Sequence, residues 1–122
     1  MTLEEMTKAV VDALEDVKGN DIKVLDVSQL TSITSVMVIA SGSSNRQTKA
    51  LANNVVVKLK ELGAEVRGIE GEKEGEWVLV DLGDIIVHVM QPTIRDYYNL
   101  EQLWGAAESR RQKTGLTADE RR

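Results

Sequence analysis

The clearest hydrophobic pattern in the chain runs from Glu76 to Trp104, EWVLVDLGDIIVHVMQPTIRDYYNLEQLW. Its alternation predicts a strand, a tight turn at Leu82-Gly83, a second strand, and a helix opening after Pro92. With Leu82 and Gly83 as the two loop residues, Asp81 pairs with Asp84, Trp77 lies opposite His88, and Leu79 lies opposite Ile86. Side chains on a strand alternate between faces. One face then carries Val78, Val80, Ile85, Val87 and Val89, all aliphatic. The other carries Trp77, Leu79, Asp81, Asp84, Ile86, His88 and Met90: large apolar groups, two carboxylates and the only histidine of the chain. A three-residue loop would scramble both sets, so the patterning favours the shorter one.

Upstream, Leu3, Met6, Val10, Leu14 and Val17 recur at helical spacing until Gly19-Asn20, predicting a helix over about residues 3–18. Ile22 to Val27 reads as a short strand and Ser28 to Ser35 as a polar connection. Val36 to Ala40 is apolar throughout, as a strand buried on both faces would be. Ser44, with Gln47 three residues later, matches a capping box. The helix it opens runs through Leu51, Val55, Leu59 and Leu62 to Gly63, placed as a C′ glycine. Glu65 to Ile69 reads as a further strand, weakened by Gly68, and Gly71 to Gly75 as a charged loop. The last helix starts near Thr93 and carries Ile94, Tyr97, Tyr98, Leu100, Leu103 and Trp104; beyond Ala107 the apolar period fades. The order α-β-β-α-β-β-β-α predicts one α/β domain, a mixed sheet flanked by helices, over residues 1–108. A basic, flexible tail follows at 109–122.

Composition narrows the possibilities for function. At 122 residues the chain fits one domain able to bury an ordinary core without staples. With no cysteine there is no disulfide framework, thiolate metal site or cysteine nucleophile. The start, MTLEEMTKAV, lacks the basic-then-apolar order of a secretory leader, and no run approaches a membrane helix. The expectation is a soluble cytoplasmic protein. Net charge is −5, of which residues 109–122 hold +3 and residues 1–108 hold −8. An acidic body argues against a reader of DNA or other phosphate backbones and suits a basic protein partner. The tail has the composition of a solvated basic end, with a local RNA contact as the alternative.

Candidate chemistry is sparse. The strand–Gly42–helix junction invites phosphate binding at a helix N-terminus, but it lacks both GxxxxGK[ST] and GxGxxG. Nucleotidyl transfer needs several convergent acids to hold Mg²⁺. Between Ser43 and Lys60 there is no Asp or Glu, and Asn53 and Asn54 are the nearest polar acceptors. Asp81 and Asp84 flank a turn, where such polarity is ordinary. His88 has no cysteine or second histidine to share a metal. As a general base it would need an oriented partner, and a hydrogen-bonded sheet histidine is the commoner reading. A third reading places it in a binding patch beside Trp77, since Trp, Tyr and Met near a few polar groups compose interface cores. Against this, helices covering the same face would make Trp77 plain core; patterning leaves the two equal.

Four stretches carry a resemblance. They are Val38-Ile39-Ala40-Ser41-Gly42-Ser43-Ser44-Asn45-Arg46-Gln47; Gly71 with Gly75-Glu76-Trp77; Val80 through Met90; and Arg95, Tyr98, Leu100-Glu101 and Leu103-Trp104. In this order they resemble the ribosomal silencing factor family, also called Iojap-like, over about residues 3–106. One departure stands out: Thr34-Ser35-Val36-Met37 occupies the place where the family usually has Thr-Asp-Tyr-Phe. The resemblance implies a nucleotidyltransferase-like fold without the catalytic carboxylates, so neither an enzyme nor a cofactor is expected. The alternative is a nucleotide-acting enzyme of the nucleotidyltransferase type. The resemblance further implies binding to the fourteenth large-subunit ribosomal protein, steric blocking of subunit joining, and slowed translation when nutrients are short. Some members resemble homodimers when free. On that basis Trp77, Leu79, Asp81, Leu82, Asp84, His88, Met90 and Tyr98 are the expected contacts, with Trp77 the aromatic anchor and the two aspartates meeting basic groups. Any contact of the tail would be with ribosomal RNA.

Overall fold

Two helices begin and end where local chemistry dictates. Helix α1 (Leu3–Asp16) is opened by a reciprocal capping box: Thr2 Oγ1 accepts the Glu5 N–H at 3.0 Å, and Glu5 Oε1 accepts the Thr2 N–H at 2.8 Å. Helix α2 (Asn45–Glu61) closes on Gly63 at φ +89°, with Gly63 N–H donating to the Lys60 carbonyl at 3.0 Å and Ala64 N–H to the Leu59 carbonyl at 2.9 Å. This is the glycine-terminated helix end expected there. The box expected at Ser44 and Gln47 is only half made. Gln47 N–H reaches Ser44 Oγ at 3.1 Å, but its side chain accepts the Ser43 N–H at 2.6 Å and donates to the Val17 and Lys18 carbonyls. Gln47 therefore staples the start of α2 to the end of α1 instead of capping its own helix.

The computed structural model describes residues 1–100 and 102. Its strands are β1 (Asn20–Asp26), β2 (Val36–Ser41), β3 (Gly68–Glu70), β4 (Trp77–Asp81) and β5 (Ile85–Met90), followed by helix α3 (Pro92–Tyr98). They form one mixed sheet in the order β1-β2-β5-β4-β3, with β2 and β5 parallel and the other pairs antiparallel. The expected element order and α/β class are thus observed. Every residue of β2 is buried, as its unbroken apolar run predicts for a central strand. The predicted strand at 65–69 is displaced to Gly68–Glu70 and forms an edge. Helix α3 ends at Tyr98, where Asn99 adopts the left-handed conformation at φ +50°. Leu103, Trp104 and the tail at 109–122 lie outside the described residues.

The hairpin differs from its expected pairing. The loop residues are Gly83 and Asp84, not Leu82 and Gly83: Leu82 N–H donates to the Ile85 carbonyl at 2.9 Å. Asp81 consequently pairs with Ile86, Leu79 with His88, and Trp77 with Met90. Gly83 takes φ +86° at the first loop position, where two-residue hairpins favour glycine. Moving the loop by one residue shifts the register by two, an even number, so both face assignments survive while every partner changes. Asp84 moves from the strand into the loop, and Leu82 is the other residue reassigned. It leaves the loop and enters the core at 6% exposure.

The two faces bury different things. Toward α1 and α2, Val78, Val80, Leu82, Ile85, Val87 and Val89 join Val36, Val38 and Ala40 beneath Val10, Ala13, Leu14, Leu51, Val55 and Leu59. On the opposite face Val27, Met37, Ile39 and Met90 form a smaller cluster, with Leu25, Trp77, Ile94 and Leu100 packed against it. Ile94 and Leu100, from α3 and just beyond it, thus lie over the β1, β2 and β5 part of that face. The β4 and β3 part is left partly open, with Trp77, Leu79 and Asp81 half-buried.

Candidate functional site

Across the second face the register sets residues in rows. One row runs Lys23, Ile39, His88, Leu79, Glu70 across all five strands. Its charged members stand at the two edges, and His88 lies mid-sheet between two aliphatic neighbours at 7% exposure. Burial alone lowers the imidazole pKa to about 4, so His88 is neutral around pH 7. Its Nδ1 lies 3.0 Å from Trp77 Nε1. An indole nitrogen only donates, so Nδ1 is the acceptor and the imidazole proton resides on Nε2.

Trp77 is held on three sides. Its ring meets His88 at a centroid distance of 5.8 Å and Tyr98, from the last turn of α3, at 4.8 Å. Tyr97 packs edge-on against Tyr98 at 5.0 Å and is itself 80% exposed. The backbone of Trp77 runs so close to Gly71 that a Cβ there would sit 2.0 Å from the Trp77 carbonyl oxygen, and Gly71 is at φ +83°. Beside the indole, Glu70, Gly71, Trp77 and Leu79 line a shallow cavity of about 300 Å³. Both ends of the hairpin region are tied to α2: Thr48 Oγ1 donates to the Gly75 carbonyl and Gln91 Nε2 to Asn45 Oδ1.

Of the eight expected contact residues, Trp77, Leu79, Asp81, His88 and Met90 lie on this face, Tyr98 packs over it from α3, Asp84 stands in the loop, and Leu82 is turned to the other side. Trp77, Leu79 and Asp81 are half-buried, while Asp84 and Tyr98 are exposed. His88 lies behind Trp77. Met90 is 0% exposed within the second cluster, and Leu82 points into the helix-side core. Neither presents surface to a partner. Asp81 also has a local task, since its Oδ1 accepts the Gly83 N–H at 2.8 Å and braces the turn.

Arg95 is not among the expected contact residues, although it fixes the helix that carries Tyr98. Buried at 5% exposure, it donates from one guanidinium nitrogen to Ser41 Oγ at 2.8 Å and sets another 3.6 Å from Asp21. No periodicity announces this, because the contact depends on β1, β2 and α3 converging. The divergent Ser35-Val36-Met37 also finds its place. Val36 and Met37 are buried, one in each cluster, and Ser35 is half-buried, so the change falls on core filling rather than on the open face.

At the start of α2, a candidate phosphate cradle, the Ser43 and Gln47 N–H groups are bonded as above, and Thr48 N–H donates to the Ser44 carbonyl at 3.0 Å. Asn54 spends its amide on the Ala13 carbonyl at 2.7 Å. Among the described residues no three His, Cys, Asp or Glu converge to hold a metal ion, and no helix is long and apolar enough to cross a membrane.

Architecture and site together define a small α/β domain with one sheet face sealed and the other half covered around an aromatic anchor. The family described as "Ribosomal silencing factor during starvation" matches residues 1–122. A protein of Chromobacterium violaceum named ribosomal silencing factor RsfS is 58% identical over 105 residues, 86% of either chain. A crystal structure from the same organism superposes with a TM-score of 0.85 at 58% identity, covering 86% of this chain and 88% of that one. The chloroplastic protein Iojap of Zea mays is 32% identical over 81% of this chain and 43% of its own length. The chain belongs to the ribosomal silencing factor family.

Proposed function

We propose that this protein silences ribosomes in the cytoplasm under nutrient limitation. It binds the fourteenth large-subunit ribosomal protein and thereby stands where the small subunit must dock. The mechanism is steric, so no cofactor and no catalytic residue take part. The observation that carries the reading is the half-covered hairpin face: Trp77, braced by His88 and Tyr98, beside a shallow cavity, in a member of this family. Trp77, Leu79 and Tyr98 supply the apolar centre. Asp81 and Asp84 supply a negative rim that speeds encounter with a basic partner and fixes register. His88 acts from behind, and Leu82 and Met90 act as packing beneath. When free, the protein forms a homodimer.

The test is sedimentation of the purified protein with large ribosomal subunits, followed by addition of small subunits. Co-sedimentation with loss of joined ribosomes is expected. Binding that leaves joining intact would remove the steric mechanism, and no binding would remove the partner.

A further inference from the structure

We infer that His88 is a positioning residue for docking. Its neutral Nδ1 holds the Trp77 indole N–H inside the protein, so that Trp77 offers a partner only an apolar ring. The inference rests on the proposed docking face and goes beyond it by separating anchor from brace and by stating what the anchor recognises.

The geometry carries it. Nδ1 and Nε1 are 3.0 Å apart, and the nitrogen that would otherwise present a polar handle to the partner is already bonded. A ring with its N–H satisfied seeks an apolar socket with no acceptor for it. His88 itself is 7% exposed, so it does not contact a partner directly. Charged and titratable groups on this face are Lys23 and Glu70 at the row ends, Asp81 in the next row, and Arg95 (with Asp21 beside it) and Tyr98 from α3. None is within the described hydrogen bonds of the imidazole, whose described partner is Trp77. The second brace, Tyr98, packs against the ring without a polar contact, so the orientation of the indole in its plane falls to His88.

The test is a double-mutant cycle in the full-length chain, with purified large subunits as the probe. Trp77→Phe removes the N–H and trims the anchor, so it weakens binding by itself and serves as the background in which the indole N–H is absent. His88→Leu should weaken binding about five-fold when Trp77 is present, the weight of one buried hydrogen bond, and less than about two-fold when residue 77 is Phe. His88→Gln, which retains an acceptor, should restore most of the loss. Equal losses from His88→Leu in both backgrounds would overturn the inference, since a generally structural histidine would act whatever stands at position 77.

A second readout needs no ribosome. The Trp77 indole proton, assigned by its loss in Trp77→Phe, should exchange slowly in wild type and His88→Gln and faster in His88→Leu. Equal exchange in all three would overturn the internal hydrogen bond even if docking stands. If the wild-type protein fails to bind subunits while the indole proton stays protected, the docking reading has failed and the positioning role falls with it; the two failures are read apart.

Discussion

The two faces of the sheet are made by the same five strands and finished differently. Toward α1 and α2 the strands contribute aliphatic side chains alone, and most of them lie at 0% exposure beneath two long helices. The other face receives only the short α3, which leaves Trp77, Leu79 and Asp81 half-buried. An aliphatic face sealed beneath two helices has nothing left to recognise. The half-covered face keeps an indole, two carboxylates and a tyrosine within reach of a partner, and spends a buried histidine on holding the indole still. One face stabilises the fold, and the other is where function can be placed.

Substitutions should separate the faces. Leu51→Ala, at 0% exposure on the sealed side, should lower unfolding free energy by about 3 kcal/mol with affinity for subunits unchanged in the folded fraction. Urea unfolding reads the first and titration of subunits the second. A change below about 1 kcal/mol would contradict the sealed-core account.

Acid should act on the other face. An unfolded imidazole gains its proton near pH 6.5, whereas His88 in the folded chain does so only at about 4. Between these values the unfolded state binds more protons, so stability falls as pH drops from about 6.5 to about 4. By pH 4.5 the histidine should account for a loss of about 2 kcal/mol. The comparison is with His88→Gln, which keeps every carboxylate and should show a shallower decline. Superimposable pH profiles for the two proteins would contradict the burial of a neutral His88.

The smallest effect should come from the rim. Asp84→Lys places a cation on an exposed loop position and should slow association with subunits a few-fold at low salt, with the difference shrinking as salt is raised. A salt-independent rate would mean that the rim does not steer encounter.

Much of this was legible in the sequence. Period-two alternation assigned Val78, Val80, Ile85, Val87 and Val89 to one face and Trp77, Leu79, Ile86, His88 and Met90 to the other, and the structure agrees. Alternation reports parity and not register, however. It is blind to whether the loop is Leu82-Gly83 or Gly83-Asp84, because both leave the faces intact. That blindness placed Leu82 at the surface when it belongs to the core, and set Trp77 opposite His88 when Met90 is its partner. Ser44 and Gln47 matched a capping pattern, yet Gln47 found the better acceptors on α1, a tertiary contact no local rule contains. The complete box is Thr2 with Glu5, ahead of the apolar stripe that marks the helix. Whether Trp77 was core or contact was undecidable from pattern alone, since the answer depends on how far a seven-residue helix reaches across the sheet.

The most direct measurement compares Trp77→Ala with Leu62→Ala for affinity toward large ribosomal subunits, each checked for folding. Leu62 is 51% exposed at the C-terminal end of α2, on the sealed side of the sheet. If the half-covered face docks, Trp77→Ala should weaken binding by about 2 kcal/mol or more, as truncation of an aromatic anchor does, and Leu62→Ala should leave it unchanged. Equal affinities for the two variants, or the larger loss at Leu62, would contradict the account.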